Sequence, residues 1–269
     1  MNGFYIGDII GNSYTHENEK YNKKTKKFDF FTERSKFSDD TILTFATIDW
    51  LLHTDKSSKS MIDCLKKSYK SFPDKNPTIY GPSYVHWITT SSGYKFSKSK
   101  GNGGAMRSSP IAWYAKSLKE INQLITKGIL PTHNTYFGKI GAKIVCYTIW
   151  YLKNDYDMKK TKKIISKTFS LNLDIPINKY RKNYSYTFES IETVRPALIS
   201  FFNSTSFEDA IKNAVSFGGD TDTITTITAS IAEAYYKVID TSLIEKCQSF
   251  LPKKFLKLLK EFNKYLKKK

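Results

Sequence analysis

The stretch Phe217-Gly218-Gly219-Asp220-Thr221-Asp222-Thr223 runs directly into the apolar segment 224–236, and together they decide the fold. Ile224, Ile227 and Ile231 recur at helical spacing with small residues between them, which predicts a helix buried on several sides. Paired glycines, carboxylates and hydroxyls stand at the start of this helix. Such a cluster of oxygen atoms before a buried helix indicates a functional site rather than a device for stability.

A second motif, Ser38-Asp39-Asp40-Thr41, precedes another apolar segment, 42–52. Ser38 is a favourable N-cap residue, and carboxylates in a first turn are stabilised by the helix dipole. Segment 42–52 is apolar almost all round, which predicts a central helix. The motif alone is equally compatible with an ordinary acidic helix start.

The remaining apolar patterns also predict helices. Segment 5–14 is short and apolar, and Gly7 and Gly11 lie four residues apart, where a second helix can approach closely. Strand patterns are scarce, and no linker divides the chain, so we expect one all-α domain over residues 1–269. Further helices are predicted at 61–72, 136–152, 159–168, 190–204, 207–215 and, with an amphipathic pattern, 251–266.

The chain is strongly basic. Its 43 Lys and Arg residues against 25 Asp and Glu residues give a formal charge of +18. A nucleic-acid partner is one interpretation, and solvated lysine-rich helix faces are the other. We favour the second, because the lysines are not interleaved with aromatic residues in the sequence.

The cysteines and the distribution of apolar residues indicate the compartment in which the protein is expected to act. Cys64, Cys146 and Cys247 are odd in number and far apart, which is typical of a reducing compartment. Asp8 interrupts the apolar N-terminal segment too early for a signal peptide, and no apolar run is long enough to span a bilayer. We therefore expect a soluble cytoplasmic protein that acts as a monomer, without a membrane partner.

Four carboxylates are predicted to lie at helix starts. Asp39 and Asp40 precede one apolar helix, and Asp220 and Asp222 precede the other. If they meet, their charges repel and bound cations relieve the repulsion. Oxygen ligands suit Mg²⁺ or Mn²⁺, whereas a zinc site would favour His or Cys, which both motifs lack. Two ligand sets would hold two ions more naturally than one, although the sequence leaves open whether the sets meet.

Five motifs together resemble the ADP-ribosylglycohydrolase family, which includes the dinitrogenase-reductase-activating glycohydrolases. Each motif alone is weak evidence, but the order of the five motifs and their nearly identical residues are specific to the family. The resemblance covers the chain from Gly7 to about Tyr236. The motifs are Gly7-Asp8-Ile9-Ile10-Gly11, Ser38-Asp39-Asp40-Thr41, Gly101-Asn102-Gly103-Gly104-Ala105-Met106-Arg107, Thr132-His133-Asn134 and Gly218-Gly219-Asp220-Thr221-Asp222-Thr223.

The resemblance implies an orthogonal helical bundle that holds two Mg²⁺ or Mn²⁺ ions at the base of a cleft. The implied substrate is ADP-ribose attached to a protein side chain, at arginine or serine. The implied metal ligands are Ser38, Asp39, Asp40, Asp220, Asp222 and Thr223. The implied substrate-binding residues are Gly101, Asn102, Gly103, Gly104 and His133.

The sequence departs from the family pattern at two places. Members usually carry a glutamate directly after the aromatic residue that follows the first glycine motif, and here that position is Thr15. Alignment from the other side leaves Glu17 and Glu19 as the candidates for the catalytic carboxylate. Thr135-Tyr136 also stands where the family has His-Pro.

The sequence therefore predicts a metal-dependent hydrolase that removes ADP-ribose from modified arginine or serine side chains. A carboxylate would activate water or assist the leaving group through an oxocarbenium-like transition state. Two alternatives stay open: an ADP-ribose-binding protein with weakened catalysis, and a hydrolase of ADP-ribosylated nucleic acid.

Overall fold

The computed structural model describes residues 1–15, 25–73, 79–90 and 96–268. Within these ranges the regular structure is helical, apart from two isolated antiparallel bridges, Lys98 with His133 and Gly101 with Glu189. The helices are α1 (Gly3–Asn12), α2 (Asp39–His53), α3 (Ser58–Ser71), α4 (Pro82–Thr90), α5 (Gly103–Met106), α6 (Ser109–Tyr114), α7 (Leu118–Gly128), α8 (Tyr136–Lys153), α9 (Met158–Phe169), α10 (Ile177–Asn183), α11 (Ser190–Phe202), α12 (Phe207–Val215), α13 (Thr221–Tyr236), α14 (Thr241–Gln248) and α15 (Lys253–Lys267).

Helix α13 is the centre of the bundle. Its residues 221–234 are all buried, and it packs against α1, α12, α11 and α8. The isoleucines supply apolar area, while its threonines, serine and alanines keep the helix narrow enough for neighbours on every side. The prediction of a helix buried on several sides is confirmed.

A glycine stripe allows α1 to lie directly on α13. A Cβ atom added to Gly3, Gly7 or Gly11 would stand 2.3, 2.3 or 2.4 Å from a backbone carbonyl oxygen of α13. The two helices run antiparallel, since Gly3 faces Ala229 and Gly11 faces Thr221. The close approach predicted from the glycine spacing is therefore present, and it fixes Asp8 of α1 beside the start of α13.

Helix α2 presents its N-terminus to the same region. Ser38 is its N-cap, as predicted, and the Ser38 hydroxyl accepts a hydrogen bond from the Asp40 N–H at 3.1 Å. Residues 40–48 are buried throughout. The amphipathic helix α15 covers α2, and the Phe45 and Phe255 rings stack with centroids 4.1 Å apart.

An extended strap, residues 97–102, crosses the surface next to the N-terminal end of α8. It is held on one side by Asn134, whose N–H donates to the Ser97 carbonyl at 2.8 Å. On the other side, the Asn102 N–H donates to the Phe188 carbonyl at 2.9 Å. The strap leads into the short helix α5.

Among the described residues, no helix is both long enough and apolar enough to cross a lipid bilayer.

Candidate metal and substrate site

The starts of α2 and α13 meet. The Thr223 hydroxyl donates a hydrogen bond to Asp40 Oδ2 at 3.2 Å, which joins two motifs separated by 183 residues of sequence. Asp8, Asp40 and Asp222 each bring a carboxylate oxygen into a cluster whose atoms lie within 4.8 Å of one another. The question that the sequence left open is thereby answered: the two carboxylate motifs form one site, and α1 contributes to it.

Asp8 was missed as a site residue by the sequence analysis. It is fully buried, and its carboxylate accepts three hydrogen bonds from the turn that starts α2. Ser38 donates through its N–H at 2.8 Å and its hydroxyl at 2.7 Å, and Thr41 donates through its N–H at 3.1 Å. A lone carboxylate in a buried apolar helix, beside a glycine stripe, was the available signal.

The hydrogen bonds of Asp8 distinguish its role from that of Asp40. Both oxygens of Asp8 are engaged by the α2 turn, so its carboxylate orients that turn. Asp40 Oδ2 accepts from the Thr223 hydroxyl, whereas Asp40 Oδ1 is buried without a hydrogen-bond partner among the described residues. A buried carboxylate oxygen with no donor is costly unless something else binds it.

Burial and mutual repulsion dominate the electrostatics of the cluster. Burial and the nearby Asp222 carboxylate raise the pKa of Asp8 to about 7. Burial also raises the pKa of Asp40 well above its usual range, with further contributions from Asp222 and Asp8. Carboxylates this close and this buried disfavour full ionisation, and a bound cation would favour it.

The cluster fits divalent cations that prefer oxygen ligands. Its donors are carboxylates and the hydroxyls of Ser38 and Thr223, and one Asp40 oxygen has no hydrogen-bond partner within the described ranges. The Ser38 hydroxyl gives its proton to Asp8, so oxygen lone pairs are what it can offer to a cation. This donor set is typical of Mg²⁺ or Mn²⁺ sites and atypical of zinc sites.

Asp39 and Asp220 lie beside the three-carboxylate cluster rather than inside it. Both are close enough to raise the pKa of Asp40 through their charges. Asp220 precedes α13 after Gly218 and Gly219, which have φ angles of +73° and +71°. Glycine adopts this conformation without strain, and the turn brings Asp220 against the Asn102 amide, which donates a hydrogen bond to it.

The glycine-rich motif at residues 101–107 includes a short helix. Gly103 and Gly104 belong to helix α5, and Asn102 precedes it as the N-cap residue. A Cβ on Gly104 would stand 2.9 Å from Ile129 and 3.1 Å from the Gly138 carbonyl oxygen. These glycines therefore permit tight packing around α5. The contact between the strap and Asp220 is the hydrogen bond that Asn102 donates.

His133 is buried behind α5. A Cβ on Gly103 would meet its ring at 3.3 Å, and its Nδ1 lies 2.7 Å from the Thr132 hydroxyl. That hydroxyl accepts a hydrogen bond from Arg107 at 2.7 Å. Burial, followed by the Arg107 charge, lowers the pKa of His133 to about 3.

This neutral histidine makes stability depend on pH. Below a pH of about 6.5, His133 becomes protonated in the unfolded chain but stays neutral in the folded protein. The free energy of unfolding therefore falls as the pH falls from about 6.5 towards 3. We expect His133→Asn, which keeps a side chain able to hydrogen-bond Thr132 but cannot titrate, to remove about 2 kcal/mol of the stability change between about pH 7.5 and 5. Urea unfolding of the two proteins at both pH values measures this difference, and parallel pH profiles would contradict it.

The Thr15 side chain contacts the first turn of α13. Its hydroxyl accepts a hydrogen bond from the Asp222 N–H at 3.1 Å and lies 2.9 Å from the Thr221 hydroxyl. It satisfies one of the first N–H groups of the helix, as a capping residue does. Glu17 and Glu19, the two candidates for the catalytic carboxylate, lie outside the described residues.

The fold and the site together define a class of protein. It comprises all-α proteins in which buried carboxylates at the starts of two helices form an oxygen-donor site suited to divalent cations. The chain belongs to the ADP-ribosylglycohydrolase family, whose profile matches residues 1–268. The resemblance inferred from the five motifs and the all-α fold are thus confirmed.

A solved structure described as an "ADP-ribosylglycohydrolase-related protein complex" has a similar fold. Its TM-score is 0.69 at 16% sequence identity, and the match covers 92% of each chain. At this identity the similarity supports the fold alone. Family membership supports ADP-ribosyl glycohydrolase activity in general, and the family is typically metal-dependent.

Proposed function

We propose that this chain hydrolyses the glycosidic bond between ADP-ribose and a modified protein side chain, at arginine or serine, with two Mg²⁺ or Mn²⁺ ions. One observation carries the proposal: the Thr223–Asp40 hydrogen bond joins the two carboxylate motifs, and the buried Asp40 Oδ1 beside it has no hydrogen-bond partner in the part of the chain that the structure describes. Stability alone gives no reason to gather buried carboxylates in this way.

Residues from both motifs would hold the two ions. When bound, the ions would supply a template for the ribose hydroxyls and Lewis-acid stabilisation of developing negative charge. The residues that we assign as ligands are Ser38, Asp39, Asp40, Asp220, Asp222 and Thr223.

The surrounding residues would keep these ligands in place. Asp8 fixes the α2 turn through its three accepted hydrogen bonds. Asn102 donates to Asp220 and also to the Thr193 hydroxyl at 3.1 Å, so the strap is tied to the start of α13 and to α11. Hydrogen-bonded partners of this kind restrict ligand rotation and raise metal affinity.

The chemical step needs a carboxylate that takes a proton from water as the water attacks the anomeric carbon of the ribose. Glu17 or Glu19 is proposed for this role. The acceptor side chain leaves with a proton, and free ADP-ribose is the other product. Residues 101–104 are proposed to contact the substrate, with His133 supporting them from behind α5.

Release of free ADP-ribose from arginine-linked and serine-linked protein substrates tests this function. We expect release from at least one linkage by the protein as isolated, loss after removal of metal with EDTA, and recovery on addition of Mg²⁺ or Mn²⁺. Release that survives EDTA would contradict the metal requirement. Calorimetric binding of ADP-ribose without turnover on either linkage would instead indicate a binding protein.

A further inference from the structure

Exposed aromatic side chains are concentrated in one part of the molecule. Among the described residues, five large hydrophobic side chains are exposed, and four of these are aromatic. We call the four the aromatic rim: Tyr136 (68% exposed), Phe137 (50%), Tyr186 (41%) and Phe188 (65%). The fifth, Val238, follows the opposite end of α13.

The strap at residues 97–102 brings the two halves of the rim together. On one side, the Thr135 hydroxyl donates to the Ser99 carbonyl at 2.8 Å and caps α8, which begins with Tyr136 and Phe137. On the other side, the Ser190 N–H donates to the Lys100 carbonyl at 3.0 Å, immediately after the segment that carries Phe188. The aromatic residues therefore flank the strap along both edges.

Lysines stand between the aromatic residues. Lys98 and Lys100 of the strap are exposed, beside the exposed carboxylate Glu189. The Lys100 ammonium lies 5.9 Å from the centre of the Phe137 ring, in the range of a cation–π contact. The sequence concealed this arrangement, because the lysines and the aromatic residues come from segments that are distant along the chain.

The rim borders the proposed catalytic site. Asn102, two residues after Lys100, donates to Asp220. Tyr186 lies against the glycine turn before Asp220, since a Cβ on Gly219 would stand 3.2 Å from its ring. A molecule bound along the rim would thus pass beside the carboxylate cluster.

We propose that the aromatic rim and the strap lysines bind single-stranded nucleic acid. Exposed aromatic rings on which bases stack, interleaved with cations that face the phosphates, are the two components of sequence-tolerant single-strand binding. The overall charge of +18 adds long-range attraction for a polyanion. An apolar peptide would bury the rings without using the lysines, so the combination favours a nucleic acid over a protein partner.

This binding does not require the proposed hydrolase activity. Only one consequence rests on that function: a strand on the rim would present an ADP-ribose attached to nucleic acid to the carboxylate cluster. The experiment therefore uses unmodified strands, so that failure of binding and failure of hydrolysis are distinguishable.

Fluorescence anisotropy with labelled oligothymidylate and oligouridylate of about 12 nucleotides tests the proposal, because this length covers one typical binding site. We expect saturable binding that weakens as salt rises from about 50 to 200 mM. Replacing both phenylalanines, in Phe137→Ala/Phe188→Ala, is expected to weaken binding at least about tenfold through loss of base stacking. Lys100→Gln is expected to reduce the salt dependence.

Val238→Ala is the matched control, since it also removes an exposed apolar side chain. Val238 lies beyond the far end of α13, about 24 Å along the helix axis from Asp220. The Val238→Ala protein is expected to bind the oligonucleotides as tightly as the unaltered protein does. Absence of binding would overturn the proposal. So would binding that the phenylalanine pair does not affect, or tighter binding of polyglutamate than of either oligonucleotide.

Discussion

Asp40→Asn is expected to lower the turnover of ADP-ribosylated substrate by about 10³-fold or more, because metal ligation contributes several kcal/mol to transition-state stabilisation. The substitution keeps the size of the side chain but replaces one carboxylate oxygen with an amide that cannot ligate in the same way. Affinity for Mn²⁺, measured by calorimetry on metal-free protein, is expected to fall by more than the roughly 100-fold typical of a supporting residue.

The same substitution is expected to stabilise the metal-free protein. The folded state raises the pKa of Asp40, so above a pH of about 4 the unfolded carboxyl ionises more readily than the folded one. Ionisable Asp40 therefore lowers the free energy of unfolding as the pH rises towards neutrality. Thermal unfolding in EDTA should give a higher Tm for Asp40→Asn at about pH 7, and the difference should shrink towards pH 4.

Asp49→Asn provides the control on the same helix. Asp49 lies nine residues after Asp40, about 13 Å along α2, and pairs with Lys67 at 2.8 Å. We expect its metal affinity and turnover to match those of the unaltered protein. If Asp40→Asn retained normal metal affinity, or if it lowered the Tm in EDTA, the assignment of Asp40 as a buried ligand would be wrong.

Gly7→Ala is expected to lower the free energy of unfolding by about 3 kcal/mol or more. Alanine favours helix formation by about 1 kcal/mol relative to glycine. That gain is outweighed, because the new Cβ would stand 2.3 Å from the Thr225 carbonyl oxygen, and both groups belong to packed helices. The expected fall in Tm is about 6–12 °C for a chain of this size.

The matched control for this change is Gly81→Ala, whose added Cβ would have no atom within 4 Å. Its stability is expected to stay within about 0.5 kcal/mol of the unaltered protein. Since Gly7 precedes Asp8, the displacement of α1 should also weaken Mn²⁺ binding in whatever fraction of Gly7→Ala folds. A Gly7→Ala protein as stable as Gly81→Ala would show that α1 can move away from α13 at little cost.

Helical periodicity predicted much of the fold. The segments predicted at 136–152 and 207–215 correspond to α8 (Tyr136–Lys153) and α12 (Phe207–Val215), and the start of α2 at Ser38 was also predicted. Helices α7 (Leu118–Gly128) and α14 (Thr241–Gln248) were not predicted.

The site was predicted as two separate motifs with an undetermined relation. Runs of carboxylate and hydroxyl side chains at two predicted helix starts identified Asp40 and Asp222, because that composition is unusual before an apolar helix. Asp8 was missed, since the glycine motif that contains it was interpreted as a helix-packing motif and its carboxylate was not connected with the two other carboxylate motifs. Glu17 and Glu19 remain predictions, because they lie outside the described residues.

The sequence by itself determined the helical class, the family and the two oxygen-rich helix starts, because these depend on local spacing and spelling. Only the tertiary structure decided that the two starts meet, that Asp8 orients one of them, and that the aromatic residues flank the strap lysines. Each of these juxtapositions joins residues far apart in the chain. The contacts exist because the glycine stripe lets α1 lie on α13 and because hydrogen bonds tie the strap to α8 and α11.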